Sequence, residues 1–272
     1  MTPEEKALAA LPIWRQEPVL VPLMEGRTNR NFIIHDGEER YFGRMGVDLP
    51  HHDISRANEQ ACAKFAADLG VSPNVHYASD GILITAFIDG ATLRPADMHD
   101  DETLEATAAV LRRLHSRAAP ATIPARCGVT TCHGYLETTP ADELPLPREA
   151  IIARLGESTL EGDCLVHADI IPENLMRTPN GLMLIDWEYS GRGAPETDLA
   201  SVIANADLTP AEARKLLDAY GPHRADVLEQ QRVALVIREA LWCLAQLRHG
   251  GPQGDLVPYT QHCIDRMLKE FS

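Results

Sequence analysis

The residues best placed to do chemistry are clustered in one short stretch, 163–189, which reads DCLVHADIIPENLMRTPNGLMLIDWEY. Cys164-Leu165-Val166 is an apolar run that leads into His167-Ala168-Asp169. Leu175 to Arg177 and Leu182 to Ile185 have the character of two short strands around a Pro-Asn-Gly turn at 179–181. In an antiparallel hairpin the start of the first strand lies beside the end of the second, so Asn174 is expected next to Asp186. Asp169 precedes Asn174 by five residues, in the loop that enters the hairpin. Two carboxylates and an amide oxygen thus converge. Hard oxygen ligands suit a magnesium ion that keeps several waters and also binds phosphates. An Asp that does not ligate the ion can accept a proton from an attacking hydroxyl.

The elements that must hold these groups follow from periodicity. Segments 18–24, 31–35 and 40–45 read as strands, with a turn at Asp36-Gly37. Residues 53–69 show apolar positions at helical spacing and end before Gly70. Two more short strands are expected near 74–77 and 81–87. From Gly90 onward helices dominate, at about 100–117, 147–158, 195–206, 210–220, 224–249 and 258–271. The proline-rich stretch 119–147 shows little periodicity and reads as an ordered loop. Thr2 before Pro3, and Thr209 before Pro210, are caps followed by first-turn prolines. The fold class is α+β, with a small β-rich N-terminal lobe holding one helix (1–89) and a larger, mainly helical lobe (90–272). A ligand is expected in the cleft between them.

Bulk composition narrows the partners. The chain has 272 residues, and 25 basic against 40 acidic residues give a net charge of −15. Such a surface repels phosphate backbones and anionic lipid, so neither nucleic acid nor membrane is expected as a partner, whereas a small cation would be attracted. No apolar run approaches the ~20 residues of a membrane span. The first residues, MTPEEKALAALP, lack the pattern of a secretory leader. Six scattered cysteines form no CxxC pair, so reduced thiols and a cytoplasmic location are expected. Cys127, Cys132 and His133 are near one another, but no second ligand pair follows at zinc spacing.

The segments HADIIPEN and LIDWEY resemble the catalytic stretch of the aminoglycoside phosphotransferase and choline/ethanolamine kinase superfamily, which has a protein-kinase-like fold. The resemblance implies an ATP- and magnesium-dependent kinase acting on a small-molecule hydroxyl. It makes Asp169 the catalytic base and Asn174 and Asp186 the magnesium ligands. Ala168 stands where protein kinases carry Arg and antibiotic kinases usually Gly, and DWE stands in place of DFG, which argues against a protein substrate. LMEGRTNRNF resembles the nucleotide loop of the choline kinase branch and points to Thr28, Asn29 and Asn31. Arg44 matches the phosphate-pairing basic residue, and Glu59 matches its helical partner. ILITAFIDG resembles the strand and hinge that receive adenine, at Ala86 and Phe87.

On the acceptor side the resemblance implies an aromatic cage from Tyr189, Trp242 and Tyr259, with Glu239 where a first Trp would stand. Aromatic faces attract quaternary ammonium groups, whereas a carboxylate favours a primary amine that donates hydrogen bonds. Trp242 and Glu239 are three apart and should face roughly the same way on one helix. Glu188 lies close by in sequence, and Asp198 is expected to cap a helix and tie down the metal-site loop. The expected substrate is a small amino alcohol. Alternatives are an aminoglycoside, a thiamine-like cation or a sugar, and, in another class, a nucleotide-binding pseudokinase.

Overall fold

The computed structural model describes residues 1–23, 29–157 and 162–272. The N-terminal part is built from a short helix, α1 (Pro3–Ala9), then β1 (Val19–Leu23), β2 (Arg30–Asp36) and β3 (Glu39–Met45), helix α2 (Arg56–Asp68), β4 (Val75–Ser79) and β5 (Ile82–Ala86). These strands form an antiparallel sheet in the order β1-β2-β3-β5-β4. Along β2 burial alternates, so Phe32, Ile34 and Asp36 point inward. Phe32 and Ile34 meet Leu8 of α1, Tyr41 and Ile84 in a small core under the sheet. The expected Thr2 cap is present as a full capping box with Glu5.

A connector crosses at Gly90, where a β-carbon would lie 2.4 Å from the Arg177 carbonyl; only glycine allows that approach. It leads into β6 (Ala91–Thr92) and helices α3 (Asp101–Leu114), α4 (Gly128–Thr138) and α5 (Arg148–Leu155). Then come β7 (Cys164–Val166), the hairpin β8 (Leu175–Thr178) and β9 (Gly181–Leu184), and β10 (Gly191–Gly193). Helices α6 (Glu196–Asn205), α7 (Pro210–Tyr220), α8 (Ala225–Gly250) and α9 (Leu256–Lys269) complete the chain. The hairpin has the expected register, with Leu175 opposite Leu184 and Thr178 opposite Gly181. β6 pairs with β8, and β10 pairs with β7.

The stretch 119–147 is not the loop its prolines suggest, because α4 occupies its middle. Gly and Thr are weak helix formers, and packing of Val129, Cys132, Tyr135 and Leu136 against α8 holds the helix in their place. The largest hydrophobic core joins α2 and β5 to α3, β7, β9, α6 and α7, so the N-terminal sheet region is welded to the helical region. Two hydrogen bonds strengthen that seam. Leu184 N–H donates to the Val71 carbonyl at 2.8 Å, and the Trp187 indole donates to Ser72 Oγ at 2.9 Å. All six cysteines are free and buried. Among the described residues no helix is long and apolar enough to cross a membrane.

Candidate active site

The hairpin and the loop before it bring the three chemical residues together. Ile185 N–H donates to the Asn174 carbonyl at 3.1 Å, which continues the ladder past the strand ends toward Asp186. Asn174 Nδ2 donates to the Asp169 backbone carbonyl at 3.0 Å. That bond fixes the amide, and Asn174 Oδ1 makes no hydrogen bond among the described residues. Asp186 has a left-handed backbone, φ 71°, and so does Ala168, φ 62°. Non-glycine residues rarely adopt such angles, and they persist where surrounding contacts fix them.

For Ala168 those contacts come from Asp198. Its carboxylate accepts from His167 N–H at 2.9 Å, from Ala168 N–H at 2.8 Å and from the His115 ring at 3.0 Å, and it is fully buried. Asp198 therefore does not cap α6, whose cap position is Pro195; it sits in the first turn and grips the catalytic loop instead. The His167 ring turns toward the hairpin, with Nε2 2.8 Å from the Ile185 carbonyl. These bonds set the loop so that the Asp169 side chain stays 21 % exposed at the site.

Beside this lies a cavity of about 450 Å³ between the sheet and the hairpin. Leu23, Ile33, Phe42, Leu83, Met176 and Ile185 give it apolar walls, and Arg44, Glu59, Asn174 and Asp186 form its polar end. Asn31, Ala86 and Phe87 also line it. Phe87 N–H is already committed to the Arg40 carbonyl at 3.1 Å and Ala86 N–H to Asn74 at 2.8 Å. Neither can donate to a purine while those bonds stand. Ile88 lines the same cavity, and its N–H makes no bond among the described residues, so it is the better-placed donor. Thr28 lies outside the described residues.

The polar end is a chain of charges. Arg44 Nη1 donates to Glu59 Oε1 at 2.5 Å and to Asp186 Oδ1 at 2.6 Å. Burial disfavours the Arg44 cation, but Asp186 and Glu59 outweigh it and hold the guanidinium charged. Burial likewise works against the Asp186 carboxylate, and Arg44 more than offsets it, keeping the carboxyl below its usual range. Arg56 Nη1 extends the chain, 2.7 Å from Glu59 Oε2 and 2.9 Å from Glu188 Oε2. Asn29 Nδ2 also donates to Glu188 Oε2, at 3.1 Å. Glu188 is thus 6 % exposed and bound to the N-terminal region, turned from the expected acceptor side. Arg56 was not anticipated; its spacing of three from Glu59 on α2 was the available signal.

The residues expected to meet the acceptor divide into two groups. The Trp242 indole donates to the Tyr189 hydroxyl at 2.8 Å. The Trp242 ring stacks on His52, with centroids 5.3 Å apart. Burial pushes His52 down to about 4, and its neutral ring spans Gln246 Oε1 at 2.7 Å and the Tyr135 hydroxyl at 3.0 Å. Glu239 instead accepts from the Tyr259 hydroxyl of α9 at 2.8 Å and sits near Cys243 and Cys263. Glu239 and Trp242 therefore do not offer a shared face. Their positions differ by about 60° around α8, and each side chain is captured by a different neighbour. Burial raises the Glu239 carboxyl above its usual range, against the opposing effect of Arg238.

Asn174 Oδ1 and the Asp186 carboxylate are hard donors beside an ionised network, and they fit a magnesium ion. The site has room for a nucleotide along the apolar walls, with its phosphates at the charged end.

Comparison with known proteins bears on the family and the fold. The profile of the phosphotransferase enzyme family (APH) matches residues 19–230. Protein LicA of Haemophilus influenzae is 43 % identical over 116 residues, which is 39 % of this chain and 43 % of that protein. The matched part thus spans less than half the length of that relative. The structure of a choline/ethanolamine kinase family protein from Mesorhizobium loti superposes with a TM-score of 0.76 at 25 % identity, over 99 % of this chain and 94 % of that one. Choline kinase LicA from Streptococcus pneumoniae also superposes with a TM-score of 0.76, at 21 % identity over 98 % of both chains. The fold is the two-part kinase-like architecture of these proteins, and the chain belongs to the phosphotransferase enzyme family.

Proposed function

We propose that this protein transfers the γ-phosphoryl group of ATP to the hydroxyl of a small amino alcohol of the choline or ethanolamine kind. The observation that carries the reading is the placement of Asn174 and Asp186 at the charged end of the 450 Å³ cleft, with Asn174 hydrogen-bonded to the Asp169 backbone carbonyl. In this reading residues 1–89 form the nucleotide-binding lobe, and 90–272 carry the catalytic loop and the acceptor site. Asn174 and Asp186 would hold magnesium, which supplies neutralisation of phosphate charge. Arg44, oriented by Glu59, faces the same phosphates. Asp169 accepts the proton of the attacking hydroxyl, and the apolar walls exclude water from the adenine. Free, buried thiols fit a reducing, cytoplasmic setting.

The acceptor class is supported by the similar proteins, two of which are choline or choline/ethanolamine kinases. The half-buried Glu239 carboxylate favours a primary ammonium over a quaternary one, since only the former donates N–H bonds. ADP release with ethanolamine, choline, a neutral diol, an aminoglycoside and a sugar tests the reading. Turnover with the amino alcohols and none with the diol is expected. Activity confined to the aminoglycoside or the sugar would overturn the acceptor, and no turnover with any of them would favour the pseudokinase.

A further inference from the structure

The nucleotide side accounts for the buried cations Arg44 and Arg56. It does not account for Arg238 of α8, which is 7 % exposed. Arg238 Nη1 donates to the Ala168 carbonyl at 2.6 Å, and Nη2 donates to Asp169 Oδ1 at 2.9 Å. Its guanidinium carbon lies 5.6 Å from the centroid of the Tyr189 ring. Burying a cation is costly unless several hydrogen bonds compensate it. Here those bonds fall on two successive residues, the left-handed Ala168 and the half-buried carboxylate of Asp169. A planar guanidinium holds two acceptors in fixed relative positions, which an ammonium cannot do. Asp169 Oδ2 makes no hydrogen bond among the described residues.

We propose that Arg238 is a positioning residue for the transfer step: its fork locks the Ala168 carbonyl and Asp169 Oδ1 together and leaves Oδ2 to face the acceptor. The inference rests on the reading of Asp169 as base. In the step, the acceptor O–H proton passes to Asp169 Oδ2 as the acceptor oxygen bonds to the γ-phosphorus. The bond from that phosphorus to the bridging oxygen breaks, and ADP leaves with the electron pair. Arg238 ends the step with its protons unchanged.

Arg238→Ala leaves a space that free guanidinium can fill, and Arg238→Lys keeps the charge and bulk without the fork. Arg238→Ala should lower kcat about 100-fold, as expected when a reacting group is misplaced. Its KM for ATP should stay within roughly twofold, because the nucleotide contacts are elsewhere. Guanidinium chloride, well below denaturing concentration, should restore about tenfold of the lost kcat, and methylammonium chloride should not. Arg238→Lys should melt near the parent temperature yet remain about tenfold slow. Parental turnover by Arg238→Lys would overturn the proposal, and so would an Arg238→Ala variant that loses kcat and ATP affinity together without guanidinium rescue. Should Arg238→Ala fail to fold, Arg238→Lys decides by the same criteria. Asp169→Asn measured alongside separates the two claims: if it still turns over, the base assignment fails whatever Arg238 does.

Discussion

The two sides of the cleft, proposed here to meet the nucleotide and the acceptor, are built by different means. On the nucleotide side, ion pairs link strand β3, helix α2 and the residues after β9, through Arg44, Glu59, Asp186, Arg56 and Glu188. Each charge there is fixed by another, and the backbone register of neighbouring strands sets their spacing. On the acceptor side, α8 presents Arg238, Glu239 and Trp242 to three different neighbours: the catalytic loop, α9, and the Tyr189–His52 pair. Little there is charge-locked except Arg238. A charged network should therefore respond to substitution by losing binding or folding, whereas an aromatic and single-bond surface should respond by changing selectivity.

The largest effect sharpens the line between the two sides, because Asp169 is bonded to Asn174 through its carbonyl and to Arg238 through its carboxylate. Asp169→Asn should lower kcat by about 10³-fold or more while ATP affinity is nearly unchanged, since loss of a positioned base acts on the chemical step alone. Steady-state kinetics with calorimetric nucleotide binding checks this. Comparable turnover would remove Asp169 from the mechanism. Asp186→Ala should instead abolish magnesium-dependent ATP binding, and unchanged affinity with the same magnesium dependence would break the nucleotide-side account.

Arg56 tests whether that network is also structural. Removing it leaves Glu59 and Glu188 as buried carboxylates short of a partner, a loss of about 3–5 kcal/mol for a broken buried pair. Arg56→Ala should melt well below the parent, and Arg56→Ala combined with Glu188→Gln should recover part of the loss. A melting temperature within a degree or two of the parent would mean that the network contributes little to folding.

On the acceptor side, Glu239→Gln should raise KM for ethanolamine several-fold more than for choline, a difference of order 1 kcal/mol for a charged hydrogen bond at a partly exposed site. The same substitution should not destabilise the protein. Burial raises the folded carboxyl above its unfolded value, so the folded state holds the proton more tightly. Any stabilisation from that proton is present below the unfolded value and lost as pH rises through the folded one. At neutral pH the ionised Glu239 therefore costs stability that glutamine avoids. A thermal shift series across acid and neutral pH should show the variant gaining on the parent as pH rises. Equal selectivity for the two amines would take Glu239 out of the acceptor site.

How much of this could be read from the residues follows the same division. The hairpin register, and with it Asn174 beside Asp186, depended on local strand pairing around one turn. The pairing of Arg44 with Glu59 was implied by the family resemblance, and in the structure strand β3 and helix α2 bring the two side chains to 2.5 Å. Helix α4 was hidden because its Gly and Thr residues carry weak propensity and its apolar spacing is short, so tertiary packing decides it. His52 lies in a turn with no motif, and nothing local announces that it stacks on Trp242. Arg238 sits in an apolar helix face, where a single cation is easily taken as solvated; only the position of the catalytic loop reveals its partners. Glu239 and Trp242 lie on one helix as expected, but side-chain direction depended on α9 and on the turn that carries Tyr189.

The smallest expected effect concerns Ala168, which lies where the two sides meet. Its backbone is left-handed, φ 62°, and such a conformation costs an L-residue roughly 1–2 kcal/mol. Glycine would remove that cost. It would also add about 0.4–1 kcal/mol of unfolded-chain entropy. The Ala168 methyl is 3 % exposed and packs with Cys164 and Val166, so losing it forfeits about 0.8 kcal/mol of burial. These contributions nearly cancel, so Ala168→Gly should change stability by no more than about 1 kcal/mol, a few degrees in melting temperature. The hydrogen bonds from Ala168 N–H to Asp198 and from Arg238 to its carbonyl do not involve the side chain and should survive. Turnover should then stay near parental. Ala168→Val is the opposing test, because a β-branched side chain is strained in this region and would pull the loop from Asp198 and Arg238 together. It should lose turnover much more than ATP affinity. If the valine variant were as active as the glycine variant, the left-handed turn would not be what sets Asp169.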